Sequence, residues 1–335
     1  MTKAPRVRVV RRPVHGVLLL DKPLGLSSND ALQKVKWLMR AEKAGHTGTL
    51  DPLATGVLPL CFGAATKFSS LQLEAAKTYE ATAVLGIKTS TGDAEGDVIS
   101  TREVNVSDAD IARVQLQFTG KLRQLPPMHS ALKKDGKALY EYARAGIDVE
   151  REMRDIEVHA LDLESFQPVA GTESAQNAIK IVAKVSKGTY IRTLGEDIGE
   201  ALQCGAHLSS LRRIETGGLK ISKAVTLAQL EAMSEDERMA ALQPVDSLLT
   251  GHEIVTLDNE NAGRFLSGLR RRTELPDNEH VVVYAEEFGS NPRALLGSAH
   301  IKAGELIPTR LLSPIEVSQM LAQELHSSSA NTVLN

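Results

Sequence analysis

Two stretches in which apolar and polar side chains alternate constrain the fold of this chain more than any other feature. Residues 79–87 place a tyrosine or an aliphatic residue at every odd position, and residues 179–185 repeat this pattern. Because successive side chains of a strand point to opposite faces, each stretch predicts a strand with one buried face. Apolar spacing typical of helices surrounds these strands, at residues 28–39, 111–118 and 191–202.

The order of these elements favours one fold class. Strands and helices mix without regular βαβ alternation, so the sequence predicts an α+β fold. Its main domain is expected to be a mixed, largely antiparallel sheet with flanking helices, one of them at residues 226–242. Short apolar runs predict a small β-rich C-terminal module, with strands at 281–284, 294–301 and 306–312. We expect four units: a basic tail at 1–13, the main domain at 14–250, the β-rich module at 251–313, and a C-terminal helix and tail at 314–335.

Composition excludes several classes of protein. With 335 residues, 42% hydrophobic and 24% charged, the chain can bury a core without disulfides and is not disordered as a whole. Cys61 and Cys204 are too few for a disulfide scaffold, and Cys61 is expected in the core. His46, His129 and His207 lack the spacing of metal ligands, and no phosphate-binding or dinucleotide motif occurs. We therefore predict no metal and no cofactor.

Charge and hydropathy indicate a cytoplasmic protein without a membrane span. No apolar run reaches the 18 or so residues that a span needs, and no signal peptide is visible. The net charge of −3 argues against binding nucleic acid through bulk positive charge but permits a local basic surface. The first twelve residues carry five basic residues and no acid, which fits either a solvated tail or a basic arm for RNA.

The segment 45–59, GHTGTLDPLATGVLP, is rich in Gly, Thr and Pro and is expected to be mostly irregular. Pro52 biases Asp51 towards an extended conformation, so that its carboxylate is held on a constrained turn. Two interpretations remain open. Asp51 either accepts N–H groups of its own turn or is a reactive carboxylate.

Arg192 is the second candidate. It lies near the start of the predicted helix at 191–202, one position from the apolar stripe. Arginines at such boundaries usually face solvent. The alternative is an ion pair with a carboxylate elsewhere, whose orientation the guanidinium would fix.

Four ordered blocks resemble the tRNA pseudouridine-55 synthases. The chain reads GHTGTLDPLATGVLPLCFGAATK at 45–67 and LDKPLGLSS at 20–28. It continues with PPMHSALKKDGKALYEYARAG at 126–146 and SKGTYIRTLGEDIG at 186–199, followed by CGAHLSSLRRI. The resemblance spans about residues 14–250. A weaker one over 251–312, carried by LLGSAHIKAGELIPTRLL, is to the family's small C-terminal RNA-binding module.

The resemblance implies an isomerase that converts uridine 55 in the T-loop of tRNA to pseudouridine on a flipped-out base. The family consumes no cofactor, metal or energy donor. Its partner would be tRNA, contacted at the T-loop and T-stem. We expect a cytoplasmic monomer with no membrane contact and no obligatory protein partner.

The resemblance also implies roles for single residues. Asp51 would be the nucleophile, Arg192 its ion-pair partner, and Tyr79 the residue that stacks on uracil and helps remove the C5 proton. The remaining matched positions would bind substrate: Tyr190 and Leu211 lining the base pocket, His46 contacting RNA where the base has left, and Lys22 and Lys67 near phosphates. For the two lysines a solvated surface position is the alternative. The sequence leaves open whether Asp51 attacks C6 or C1′ and which group accepts the C5 proton.

Two other hypotheses come from different classes. A tRNA-folding chaperone needs no turnover and is compatible with the enzyme, because extruding a base disrupts loop contacts. An unrelated acid–base enzyme acting on a small molecule is disfavoured by the absence of cofactor motifs and by the RNA-module-like C-terminus.

Overall fold

The computed structural model describes residues 10–166, 177–286 and 293–332, arranged around a ten-stranded and a five-stranded sheet. The strands are β1 (Gly16–Lys22), β2 (Ala44–His46), β3 (Ala54–Phe62), β4 (Lys77–Leu85), β5 (Ile87–Thr89), β6 (Val98–Thr101), β7 (Gly120–Gln124), β8 (Lys133–Lys134), β9 (Lys137–Ala138), β10 (Arg154–Phe166), β11 (Ala178–Val185), β12 (Ala206–Thr216), β13 (Leu219–Lys220), β14 (Val225–Thr226), β15 (Glu253–Leu257), β16 (Arg271–Arg272), β17 (Asn278–Ala285), β18 (Ala294–Lys302) and β19 (Glu305–Leu311). The helices are α1 (Ser28–Leu38), α2 (Asp108–Gln117), α3 (Leu139–Arg144), α4 (Ile191–Ala201), α5 (Leu227–Ala232), α6 (Glu235–Ala240), α7 (Asn259–Leu266) and α8 (Pro314–Thr332).

The large sheet confirms the predicted mixed, largely antiparallel architecture. Its strand order is β14-β1-β3-β12-β4-β11-β10-β7, with β2 added to β3 and β13 to β12. Neighbours run antiparallel except for β1 with β14 and β3 with β12. The parallel β3–β12 pair joins the two halves of the sheet at Leu211 and Ala54. This junction lies next to the segment that carries Asp51.

Both faces of β1 are buried, which places the sheet between two apolar clusters. Leu18 and Leu20 belong to a cluster with α1 and α4. Val17 and Leu19 point the other way, because side chains alternate along a strand. Their cluster also contains residues after position 250, namely Val282, Leu295, Leu312 and Met320. The main domain and the C-terminal module therefore share a core.

Hydrogen bonds between the start of β1 and α8 seal this junction. The N–H of His15 donates to Gln323 Oε1 (3.0 Å), and Gln323 Nε2 donates back to the His15 carbonyl (2.7 Å). The first strand is thereby attached to the last helix.

The C-terminal module is a five-stranded sheet in the order β15-β17-β18-β19-β16, packed on α7. The three strands predicted here are confirmed as β17, β18 and β19. Their inward residues form a third apolar cluster with Phe265 of α7.

Helix starts follow local capping rules. Ser27 caps α1 by accepting the N–H of Asp30, and Ser107 forms a capping box with Asp110 at α2. The predicted single helix at 226–242 is wrong. Ser234 forms a new capping box and starts α6, so two short helices replace one.

The expectation that residues 45–59 are mostly irregular is also wrong in part. Strand β3 begins at Ala54 and continues through Pro59, so only 47–53 is a loop. Gly56 takes a φ of +101°, and a Cβ there would collide with the main chain of Arg213. Gly56 therefore allows β3 and β12 to approach closely. In the sequence this glycine suggested an irregular segment, but in the structure it lies within a strand.

Residues 1–9 of the predicted basic tail lie outside the described residues. Arg12 is held against the main domain: its N–H donates to the Arg40 carbonyl (2.8 Å) and its side chain pairs with Glu235 (2.6 Å). Cys61 lies in the core as expected, and burial raises the pKa of its thiol to about 12. Across the described parts of the chain, no helix is long and apolar enough to cross a membrane.

Candidate active site

Asp51 lies in the loop of residues 47–53 that joins β2 to β3, which we name the Asp51 loop. The backbone N–H and carbonyl of the preceding residue, Leu50, both form hydrogen bonds with the side chain of Ser28 at the start of α1. The Leu50 N–H donates to Ser28 Oγ (2.8 Å), and Ser28 Oγ donates to the Leu50 carbonyl (2.9 Å). This buried exchange fixes the direction in which the chain enters Asp51.

The Asp51 carboxylate contacts the Arg192 guanidinium. Arg192 Nη2 lies 2.9 Å from Asp51 Oδ2. The arginine side chain is 8% exposed and the aspartate side chain 47% exposed. Of the alternatives for Arg192, the ion pair is present and the solvated position is wrong. The carboxylate thus has a buried cation on one side and an open approach on the other.

Arg192 is held by three further acceptors. Its Nη1 bonds Asp93 Oδ2 (3.2 Å) and the Thr91 carbonyl (3.1 Å), and its Nη2 bonds the His129 carbonyl (2.7 Å). The buried Asp93 carboxylate also accepts the Thr91 hydroxyl (2.5 Å) and the N–H of Glu95 (3.1 Å). The guanidinium therefore cannot rotate away from Asp51 without breaking several bonds.

Asp93 is a residue that the sequence analysis missed. It lies in the turn between β5 and β6, where aspartate commonly bonds its own backbone. Its partner Arg192 is 99 positions away, so no local signal marks it. Only the folded chain shows that Arg192 spans two carboxylates.

Tyr190 precedes α4 and is clamped by Gln124 at the end of β7. The N–H of Tyr190 donates to Gln124 Oε1 (2.8 Å), and Gln124 Nε2 donates to the Tyr190 carbonyl (3.1 Å). Burial is the main cause that raises the pKa of the Tyr190 phenol. Gln124 was not anticipated either, since its partner is a main-chain unit that any residue could supply.

Tyr79 and Leu211 lie on the neighbouring strands β4 and β12. Leu211 pairs with Ala81, two positions along β4 from Tyr79. Both side chains contact the cluster that contains Leu50 and Ile191, the residues before Asp51 and Arg192. The structure thus places these two predicted pocket residues on the sheet face that also receives the ion pair.

The two predicted phosphate-binding lysines have other surroundings. Lys22 is fully buried and donates to the carbonyls of Pro23 (3.0 Å) and Leu26 (2.6 Å). Burial lowers its pKa to about 8, while the charge of Asp51 acts in the opposite direction. Neither a phosphate contact nor a solvated position describes this enclosed ammonium group.

Lys67 lies outside the site. Its ammonium group donates to the Leu311 carbonyl (2.9 Å) and pairs with Glu316 of α8 (2.6 Å), joining the main domain to the C-terminal part. Its ammonium group is thus engaged within the protein, and the predicted contact with phosphate stays a prediction. His46 lies in β2, where burial, followed by the charge of Arg213, lowers its pKa. Its Nδ1 is buried without a hydrogen-bond partner in the described part of the chain.

The described residues contain no group of three or more His, Cys, Asp or Glu side chains arranged to hold a metal ion. What the site offers is an ionisable carboxylate, a fixed arginine and two tyrosines.

Comparisons with protein families assign most of the main domain. Residues 36–191 match the family described as TruB family pseudouridylate synthase (N terminal domain). Residues 192–250 match the tRNA pseudouridylate synthase B C-terminal domain. The boundary between the two falls at Arg192, so the ion pair joins them.

Similar proteins cover nearly the whole chain. The tRNA pseudouridine synthase B of Verminephrobacter eiseniae is 62% identical, over 97% of this chain and 96% of its own. That of Cupriavidus pinatubonensis is 55% identical, over 91% of this chain and 96% of its own. Among solved structures, a chain of a Cbf5-Nop10-Gar1 complex superposes with a TM-score of 0.64 at 24% identity, covering 90% of this chain and 86% of that one. A chain of an archaeal box H/ACA sRNP Nop10-Cbf5 complex gives 0.64 at 22% identity, covering 94% and 91%.

Proposed function

The chain belongs to the TruB family of pseudouridylate synthases and is a tRNA pseudouridine synthase, and from this premise we propose that it isomerises uridine 55 of the T-loop with Asp51 as nucleophile. One observation carries the proposal. The Asp51 carboxylate is open to an incoming base, yet it lies 2.9 Å from a buried arginine. A nucleophilic carboxylate needs this combination, because it must be both ionised and accessible.

The reaction requires no redox step and no water. The bond from uracil N1 to ribose C1′ breaks, the base turns, and C5 bonds to the same C1′. A proton leaves C5 and the nitrogen released from the sugar gains one, so the atoms balance. The half-exposed Asp51 carboxylate can attack at C6 or at C1′, while its contact with Arg192 holds it in place.

The pocket for the flipped base is proposed to lie on the sheet face that carries Tyr79 and Leu211, beside Tyr190. A uridine in a folded loop must be extruded first, at a cost of a few kcal/mol, and stacking on an aromatic ring offsets part of it. We assign residues 14–250 to catalysis and 251–313 to RNA binding, with the T-loop and T-stem of tRNA as the contacts. His46 is proposed to meet RNA where the base has left. A monomer without an obligatory protein partner remains a prediction.

Position-resolved mapping of pseudouridine tests the proposal. An unmodified tRNA transcript is treated with the purified protein, beside a control transcript that has cytidine at position 55. We expect product at 55 and none in the control. Product elsewhere with none at 55 would overturn the substrate assignment.

The variant Asp51→Asn tests the nucleophile. An amide has nearly the same shape but cannot attack, so we expect loss of turnover with tRNA affinity within about threefold of wild type. Mass spectrometry checks that the amide has not reverted to Asp51. Turnover by an intact amide would show that Asp51 does not form the covalent bond.

A tRNA-folding chaperone activity is proposed in addition, because extrusion of uridine 55 disrupts loop contacts whether or not isomerisation follows. Asp51→Asn separates the two roles. We expect it to speed refolding of a misfolded transcript as wild type does. A variant that binds tRNA yet leaves refolding unchanged would remove the chaperone role.

A further inference from the structure

Two consecutive arginines of β12 point to opposite faces of the large sheet and have different surroundings. Arg212 forms a two-point ion pair with Asp21 (3.0 and 2.7 Å), and its side chain is 39% exposed. Arg213 is 1% exposed and is one of the largest fully buried side chains of the described chain. Neighbours in sequence, they provide a comparison between a surface arginine and a buried one.

The Arg213 guanidinium bonds main-chain carbonyls. Its Nε donates to the Val57 carbonyl (2.8 Å) and its Nη2 to the Gly48 carbonyl (3.2 Å). Val57 lies on β3 and Gly48 in the Asp51 loop, so one planar group links the start of this loop to the strand that follows it. Two carbonyls at fixed separation suit a guanidinium better than an ammonium group, which has a single donor centre.

The Asp51 loop leaves room for the Arg213 side chain at Gly48. A Cβ added at Gly48, where φ is +70°, would lie 3.2 Å from Arg213 Nη1. Glycine at this position therefore lets the loop close onto the guanidinium. The contact requires a glycine on the loop and an arginine on the strand.

Arg213 also carries a charge that the described residues leave without an ion pair. Its charge contributes to the lowered pKa values of Lys22, Lys77 and His46, after the larger effect of burial. A buried charge without an ion pair destabilises a fold, so its presence needs a compensating interaction. The carboxylate nearest along the loop is Asp51, three residues beyond Gly48.

We propose that Arg213 is a positioning residue, which holds the Asp51 loop in its reactive geometry through the carbonyls of Gly48 and Val57. The inference deepens the proposed function, because it rests on Asp51 as the reacting group. Arg192 fixes the carboxylate from the first turn of α4, and Arg213 fixes the loop from within the sheet. Both contacts are needed to hold Asp51 at one position.

Arg213→Lys tests the proposal, with Arg212→Lys as the matched control. Lysine keeps the charge but cannot bridge two carbonyls, and a misplaced reacting group lowers a rate on the order of 100-fold. We expect the single-turnover rate at saturating enzyme to fall by about that factor while the Kd for tRNA changes by less than about threefold. Arg212→Lys is expected to keep both values within about threefold. A wild-type rate in folded Arg213→Lys would overturn the proposal.

Chemical rescue distinguishes positioning from general support of the fold. Millimolar methylguanidinium is expected to restore part of the rate to Arg213→Ala, since it can rebind the two carbonyls. The same addition to Arg212→Ala serves as the control and is expected to change nothing. A folded Arg213→Ala enzyme that is slow and is not rescued would count against the proposal.

Hydrogen exchange provides a measurement that does not depend on activity. In Arg213→Lys we expect faster exchange in peptides covering residues 47–53 and unchanged exchange in β11. Faster exchange throughout, or a variant that no longer folds, would show that Arg213 supports the whole domain and would overturn the positioning role. This measurement is independent of the proposed function. If the wild-type protein made no pseudouridine at position 55, the proposed function would fail, but the exchange data on residues 47–53 would still test the role of Arg213.

Discussion

Arg192 joins two carboxylates that differ in their access to solvent. The Asp93 carboxylate is buried and accepts hydrogen bonds from the Thr91 hydroxyl and the N–H of Glu95, while the side chain of Asp51 is half exposed. The guanidinium is thereby oriented by Asp93 and presented to Asp51. One carboxylate can remain fixed while the other reacts.

Replacing Asp93 by asparagine removes the charge that orients Arg192. Breaking one side of a buried charge pair destabilises proteins by about 3–5 kcal/mol, and a shifted arginine misplaces Asp51. We expect Asp93→Asn to lower both the melting temperature and the single-turnover rate. Asp97→Asn, an exposed residue of the same hairpin, is the control and is expected within about 0.5 kcal/mol of wild type. Equal single-turnover rates for the two variants would show that Asp93 does not position Arg192 for the reaction.

Substitutions at Tyr79 can separate the role of the aromatic ring from the role of the hydroxyl. Tyr79→Phe keeps the stacking surface, worth about 1–3 kcal/mol per base, but loses the group proposed to assist removal of the C5 proton. We expect near wild-type tRNA affinity with a large fall in the single-turnover rate. Tyr79→Leu is expected to weaken binding as well. A wild-type rate for Tyr79→Phe would assign the proton to another acceptor.

At the scale of elements, the distance between α4 and β12 sets the position of Arg192. A Cβ added at Gly195 would lie 2.7 Å from Leu208 Cδ2, and one added at Gly199 would collide with the main chain of Ala206. The helix therefore packs directly on the strand backbone. Since Arg192 lies in the first turn of α4, this contact fixes how far its guanidinium reaches.

Gly199→Ala is expected to push α4 away from β12. Overpacking of this kind destabilises by about 1–3 kcal/mol, and the rate should fall because Arg192 moves with its helix. Gly263→Ala in the exposed face of α7 is the control: its Cβ would meet nothing within 4 Å, so about 0.4–1 kcal/mol of stabilisation is expected. Thermal melts and single-turnover rates of both variants decide the matter. A stabilised Gly199→Ala would contradict the close packing.

In the large sheet, alternation of apolar and polar residues predicted two strands in which it is unbroken and missed two in which it is interrupted. The β4 and β11 strands were found, whereas β10 and β12 were not. A register shift between Val158 and Ala160 disrupts the pattern of β10, and buried His207 and Arg213 hide that of β12. The Asp51–Arg192 pair was found through family resemblance, since local spacing left each residue with two interpretations.

At the scale of the whole molecule, the shared apolar cluster makes the C-terminal module part of the fold. The Tyr284 hydroxyl donates to Asp246 Oδ2 (2.6 Å) across the same junction that Lys67 and Glu316 bridge. Val17 and Leu19 of β1 belong to the same apolar cluster as Leu295 and Leu312 of the module. The predicted unit 251–313 is therefore a separate sheet but not a separate core.

Calorimetry tests whether the two parts unfold together. We expect one transition whose calorimetric and van't Hoff enthalpies agree, because the shared cluster couples the parts. Leu312→Ala, in that cluster, is expected to lower the stability of the whole protein by about 2–5 kcal/mol. Two resolved transitions, with only the smaller one shifted by Leu312→Ala, would show that the parts are independent.

The bonds between His15 and Gln323 join residues 308 positions apart, which matters while the protein is being made. A ribosome adding about 5–20 residues each second needs roughly 15–60 seconds to pass from one to the other. For most of that interval the apolar cluster around Val17 and Leu19 lacks its C-terminal members Leu312 and Met320. The nascent chain therefore completes this apolar cluster only when α8 has been made, and α8 then bonds to the residue that precedes the first strand.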